Sequence, residues 1–246
     1  TSGLSFAAII FTCIFSGLMS MNPFGIFDAK GARPDIVAYR GGNPATQRLA
    51  LEAPQALALL NDTHFHANEI EWRMLDGKPY LLARNAANAT RLIVQNGNSF
   101  KVIEQWNDDD LLHAASRLMS APILSHQVLT QYDTYYYGRQ QEAMMGASER
   151  RLPILRIRYD EPNQTWVHID PSTGDVELSS DKSQRVGRWL FSFLHSWDLP
   201  VMLQAGAIRD VILILLSLGG LALSITGIVI GYGRMRIWVS KKRHAH

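Results

Sequence analysis

Hydrophobic positions divide the chain into two apolar runs around a patterned middle. Val211 to Gly233 (VILILLSLGGLALSITGIVIGYG) carries no charge and is closed by Arg209 and Asp210 on one side and by Arg234 and Arg236 on the other. As a helix it would be roughly 34 Å long, enough to cross a hydrocarbon core of about 30 Å. Gly220, Ser224, Gly227 and Gly231 recur at three- and four-residue steps, a slim stripe where another helix could approach closely. Leu4 to Met21 is the second apolar run, about 27 Å as a helix, in a stretch Thr1–Phe27 without charge. We expect a membrane helix over 1–24 that began earlier and was shortened. A signal peptide competes, but the basic n-region is missing. Asn22-Pro23 ends the helix, because proline disfavours helical geometry in the residue before it.

Between these runs the periodicity switches back and forth. Leu49–Leu60 has helical spacing, with Pro54 near its first turn. Extended runs follow at Glu69–Leu75, Pro79–Arg84 and Thr90–Val94, punctuated by Asp76-Gly77 and Asn96-Gly97, both hairpin signals. The order then recurs. Asp108–Met119 starts on acids and places Leu111, Leu112, Ala115 and Leu118 at helical spacing. Val128–Tyr137, Leu152–Tyr159 and Thr165–Ile169 read as strands, and Pro171–Gly174 turns into Val176–Leu178. The expected fold is α+β and membrane-anchored: two αβββ units, 25–105 and 106–181, with antiparallel sheets, each with a helix on one face. Arg185–Trp197 is amphipathic, with Trp189, Phe193 and Trp197 four apart. It predicts an interfacial helix within 182–208, lying in the headgroup layer ahead of the span at 209–234.

Composition narrows this picture. With 47% hydrophobic residues and a mean hydropathy of -0.05, the chain fits one sizeable water-facing portion tied to a few spans. The net charge of +2 is spread out, and no basic helix interleaved with aromatics points to nucleic acid. Cys13, the one cysteine, sits in an apolar run. A polar portion without thiols suits an oxidising compartment, and no Cys-x-x-Cys-His is present for covalent haem. The tail 235–246 carries Arg236, Lys241, Lys242 and Arg243 without an acid, which makes it cytoplasmic under the positive-inside rule. Asp28–Arg209 then lies on the far side of the membrane.

Six pieces, in order along nearly the whole chain, carry a family likeness: FSGLMSMNP (Phe15–Pro23), YDTYYYGR (Tyr132–Arg139), LPILRIRYDEP (Leu152–Pro162), TWVHIDPSTG (Thr165–Gly174), RWLFSFLHSWDLP (Arg188–Pro200) and LSLGGLALSITGIVIGYGR (Leu216–Arg234). With them the chain resembles the PepSY-associated transmembrane proteins, described as iron-regulated inner-membrane proteins of bacteria, and looks like a C-terminal half of one. The resemblance implies PepSY modules in the periplasm, carried on inner-membrane helices. Some relatives with this architecture look like reductases that pass electrons through haem to ferric siderophores.

A haem site of that kind needs imidazoles in or near the bilayer. Of eight histidines only His195 adjoins a membrane element, which makes it the candidate axial ligand of a haem b; Asp198, three residues on, is the candidate acceptor of its other ring proton. The plainer role for His195 is a hydrogen bond to a headgroup or a backbone carbonyl. Neither span contains a histidine, so a bis-histidine haem would draw on a preceding portion or a partner. His64 and His66 could chelate a metal if they shared one face of a strand, although no third ligand is near. His113 and His168 read as structural. Asp108–Asp110 read as a helix start, because the glycine and distal glutamate of a calcium loop are missing. Tyr132, Tyr135, Tyr136 and Tyr137 read as sheet packing, with stacking on a siderophore or haem as the alternative. No serine-hydrolase elbow, phosphate loop or zincin helix occurs. The sequons at Asn61, Asn88 and Asn163 mean little in a bacterial chain. Two functions follow: a haem-dependent ferric-siderophore reductase in iron acquisition, or a non-catalytic periplasmic PepSY module that restrains a peptidase or scaffolds a membrane partner. Both place the lipid bilayer among the partners.

Overall fold

The structure is a computed structural model that describes residues 11–12, 14–19, 21–43, 49–138, 150–190 and 207–243. Two compact units divide the chain: Asp28–Arg185, and the terminal segments on either side of it.

The first unit is α+β, with two four-stranded antiparallel sheets, each an up-and-down meander. The first sheet runs β1 (Glu69–Leu75), β2 (Lys78–Arg84), β3 (Thr90–Asn96) and β4 (Ser99–Ile103). Asp76 and Gly77 both take positive φ, 51° and 76°, as a type I′ turn demands, and close the pair Leu75–Lys78. Gly97, at φ 60°, opens the turn that closes Asn96 on Ser99. The second sheet runs β5 (Ile123–Leu129), β6 (Ile154–Tyr159), β7 (Trp166–Ile169) and β8 (Val176–Ser180). Each of the two expected αβββ repeats therefore has four strands, not three. The strand missed in the first unit, β4, is a five-residue segment, SFKVI, too short to show its alternation against a lysine at its centre. The run 128–137 is not one strand either. β5 ends at Leu129, and Asp133 folds the next residues into a tight turn by accepting the Tyr135 and Tyr136 amides, each at 2.8 Å.

Three short helices complete this unit before its last hairpin. In α1 (Ile36–Arg40), Asp35 caps the start by accepting the Ala38 amide. Its end meets the β1–β2 turn, whose Asp76 and Gly77 amides donate to the Tyr39 and Arg40 carbonyls. Gly41 sits at φ 69°, and a Cβ there would lie 2.4 Å from the Gly77 nitrogen, so the approach of the two turns requires glycine. In α2 (Ala53–Asp62), Pro54 occupies the first turn, where a missing N–H costs nothing. In α3 (Asp108–Ala115), Asn107 accepts the Asp110 amide and three aspartates face the positive end of the dipole. This helix stops at Ala115, one turn short of the predicted Met119, although Leu118 and Met119 stay buried.

Alternation then decides which side chains meet. Leu81, Ala83 and Ile93 face α2, whose Ala56 and Leu60 they bury, together with Leu49, Leu51 and Phe65. Tyr80, Leu82 and Leu92 face the opposite way, into one core with Leu111, Ala114, Ala115 and Leu118 of the α3 region and Leu155, Ile157, Val167 and Ile169 of the second sheet. The two halves thus share one core, beside which each keeps a smaller cluster of its own. Each leucine or isoleucine buried there contributes about 1.5–3 kcal/mol. Buried tyrosine hydroxyls need acceptors, and three cross-ties supply them. Tyr159 donates to the Ala115 carbonyl at 2.7 Å, Tyr80 to Thr173 at 2.7 Å and Tyr39 to Gly174 at 2.9 Å. Arg73 of β1 adds an ion pair to Asp175 at 2.5 Å, so the β7–β8 turn is pegged onto the first sheet.

In the terminal unit, residues 11–12 and 14–19 are helical, and a single 3-10 turn at Pro23–Gly25 follows. The remainder of the expected first span lies outside the described residues. The helix α4 (Lys182–Arg188) straddles the boundary between the units and covers the start of the expected interfacial helix; 191–206 lie outside the described residues. The last helix, α5 (Ala207–Arg243), contains the one segment among the described residues long and apolar enough to cross a membrane, Ile214–Arg234.

Candidate functional site

The face of the second sheet turned away from the shared core is where polar chemistry collects. In β6 the sequence LRIRY sends Leu155, Ile157 and Tyr159 into the core, which leaves Arg156 and Arg158 on the other side. In β7, Val167 and Ile169 go inward, leaving Trp166 and His168. The register pairs Arg156 with His168 and Arg158 with Trp166, so a period of two in each strand assembles a two-by-two block of arginine, histidine and tryptophan. The Tyr132–Tyr137 turn folds over this block.

Three guanidinium groups stand over one indole. Arg185 of α4 lies 4.2 Å from the Trp166 ring centre, Arg158 4.5 Å and Arg156 5.0 Å, while Tyr135 meets the ring edge-on at 5.2 Å. Arg156 is buried and fully engaged. It holds both Asp133 oxygens, at 2.6 and 2.9 Å, and its Nε donates to His168 Nε2 at 2.8 Å. Burial alone would raise the Asp133 carboxyl, but the Arg156 fork and the Tyr135 and Tyr136 amides outweigh it and hold the carboxyl below its ordinary value. Arg185 donates to the Ser180 and Gln164 carbonyls, each at 2.7 Å. Burial, helped by the neighbouring Arg158 and Arg156 charges, lowers its proton affinity against the pull of Tyr135 and Asp181.

His168 is fully buried, and Tyr136 stacks on it at 5.0 Å with 16° between the rings. Burial first, and the Arg156 charge second, push its pKa down to about 3. It is therefore neutral at physiological pH and accepts at Nε2, which puts its proton on Nδ1. Arg150 lies 5.7 Å above the Tyr136 ring. Beside it, Arg150, Arg151, Tyr132, Asp170 and Ser172 line an open cavity of about 220 Å³. Sites that take whole small molecules run to roughly 300–1,000 Å³. This cavity has room for one side chain. The row Arg150–Tyr136–His168–Arg156–Trp166–Arg158–Arg185 thus carries four guanidinium groups, of which Asp133 pairs with one.

His195 and Asp198, expected at a membrane interface, lie outside the described residues, as does most of the helix expected to carry them. His64 and His66 do not share a strand face. They fall in the irregular turn after α2, His64 at φ 57° and His66 held by Asn61 at 3.0 Å. His113 is structural, 2.7 Å from Asp76, and Asp108–Asp110 form the first turn of α3. Tyr135 and Tyr136 pack on the second sheet as expected, although from a turn laid over it. Arg150, Arg156, Arg158, Trp166 and Arg185 were missed. For Arg156, Arg158 and Trp166 the alternation in LRIRY and TWVHI held the signal, but only pairing the two strands in register brings them together; Arg150 and Arg185 come from a loop and from α4, and no local pattern marked them.

No family model, curated protein or solved structure matches the chain. Helix α5 carries no histidine, Nε2 of the buried His168 is taken by Arg156, and no group of three metal-ligating side chains gathers among the described residues.

Proposed function

We propose that the chain is a binding module of the PepSY type, anchored to the inner membrane of a bacterium through Ile214–Arg234, with the Asp28–Arg185 body on the periplasmic side. In this reading it takes no part in chemistry itself. It holds a polypeptide, a peptidase or a membrane partner, through acidic side chains that meet Arg158 and Arg150, the half-buried guanidinium groups of the row. Two half-buried guanidinium groups, Arg158 over Trp166 and Arg150 beside a cavity of side-chain size, carry the reading. Rigid aromatic rings flanked by arginines are the groups that dominate protein interfaces, and Arg158 keeps its fork free of any carboxylate among the described residues.

The test is affinity purification of the full chain from membranes beside an Arg158→Glu variant. A partner recovered with the wild type and lost with the variant supports the module. No partner, or identical partners with both, refutes it. The same preparation serves the haem-dependent ferric-reductase reading: an oxidised-minus-reduced spectrum with a Soret shift, abolished by His195→Ala, would put that reading in front.

A further inference from the structure

Each sheet of the body ends in two edge strands, and three of the four are guarded. β1 carries Glu69, Glu71 and Arg73, with Arg73 held by Asp175 and α1 alongside; β4 is centred on Lys101; β8 carries Glu177. β5 is different. Its sequence, ILSHQVL, has no carboxylate, lysine, arginine or proline, and the five residues from Leu124 to Val128 are all exposed, Leu124 at 64%. Among the described residues its backbone pairs with β6 alone. An uncharged, uncovered edge is a template for another strand.

The sequence also says which strand. Placed antiparallel against a copy of itself about His126, β5 sets Ile123 against Leu129, Leu124 against Val128 and Ser125 against Gln127. Apolar meets apolar, polar meets polar, and no like charges are opposed. The other edges fail this operation. β4 would oppose Lys101 to Lys101, and β8 would set Val176 against Ser180. The bulge between Ile123 and Ser125 bends one end of the strand, so the regular ladder is Ser125–Gln127 about His126, and the apolar pairs close its two ends at the bend.

We propose that β5 is a homotypic interface: two copies of this chain join antiparallel along it, with His126 on the two-fold axis and the two second sheets fused into one of eight strands. A strand pair of this length buries less than the roughly 1,000 Å² of a stable interface. The contact therefore depends on the high local concentration of chains held in one membrane, a condition that rests on the anchoring proposed above. It does not depend on the arginine row.

Register-specific cross-linking of the full chain in membranes tests it, in a Cys13→Ala background. Residues paired across antiparallel strands lie about 4.5–5.5 Å apart at Cα, within disulfide reach. His126→Cys is expected to link to itself in mild oxidant, several-fold more than Leu124→Cys. In the dimer, Leu124 would lie about 13 Å from its own copy at the strand rise. Ser125→Cys mixed with Gln127→Cys is expected to link. His126→Lys is expected to dissociate the dimer, and mixing it with His126→Glu to restore it. Equal linking at 124 and 126, no linking at all, or linking of 126 to a different polypeptide overturns the proposal. Fractionation comes first. A chain found soluble sinks the anchoring, whereas an anchored chain that fails to link sinks the strand pairing.

Discussion

His168 makes the stability of the body depend on pH between its unfolded and folded values, a window whose lower part it shares with the carboxylates. In the unfolded chain its imidazole takes a proton near pH 6.5. In the folded chain burial and the Arg156 charge push that down to about 3. Between these values the unfolded state binds more protons, so stability is full above pH 6.5 and falls as pH drops. The loss from this one group works out to about 2 kcal/mol at pH 5 and about 3 kcal/mol at pH 4. Asp133 adds to it in the same direction. Its folded value is depressed, so its contribution is present above the unfolded carboxyl value and disappears at still lower pH. The assay is denaturant unfolding or pulse proteolysis of the full chain in detergent between pH 4.5 and 7.5, beside His168→Gln. That variant keeps an acceptor for the Arg156 Nε but cannot take the proton. It loses some stability at every pH, because the stack on Tyr136 goes, yet its profile should be flatter than that of the wild type by about 2 kcal/mol from pH 7 to 5. Parallel profiles would show that His168 does not titrate as its surroundings dictate, and the reasoning would fall.

Three further outcomes are expected. Asp133→Asn leaves Arg156 with an uncompensated buried charge and should cost about 3–5 kcal/mol, while Asp133→Asn with Arg156→Met recovers most of that; equal losses in single and double variants would refute the pairing. Gly41→Ala forces a Cβ against the Gly77 nitrogen at a left-handed φ, so the unfolding midpoint should fall by the equivalent of about 2 kcal/mol or more, and a change under about 0.5 kcal/mol would count against that close approach. Ile157→Ala should cost about 2–5 kcal/mol, and fluorescence from Trp72 in the first sheet and Trp166 in the second should shift together. Separate transitions would mean that the halves do not share a core.

Much of the fold was readable because the local chemistry was unambiguous. Asp76-Gly77 can hardly be anything but a hairpin turn, and three aspartates ahead of a helical run announce a helix start. β1 was placed with its observed limits and β6 within two residues. What failed was local in a different sense. The tyrosines after Leu129 have strand propensity, but the Asp133 carboxylate captures two backbone amides and turns the chain away. The shared core was hidden because β2 is buried on both faces, and YLLA shows no alternation that would say which partner lies on which side. The arginine row suffered most. Arg156, Arg158, Trp166 and His168 look ordinary along their own strands, and only the pairing of β6 with β7 makes them neighbours, while Tyr136, Arg150 and Arg185 join from a turn, a loop and α4. The anchoring in a bilayer was argued from length and polarity and stays a proposal.

The peg between the β7–β8 turn and the first sheet has a consequence for biosynthesis. Tyr39 and Tyr80 find their acceptors at Thr173 and Gly174, and Leu82 and Leu92 find their cover in strands that come last. A nascent chain that has emerged only through Ile103 owns a complete meander with one bare greasy side and two thirsty hydroxyls. It must wait, unfinished, until the final hairpin arrives. Chaperone protection during that interval belongs to the price of building one body from two sheets.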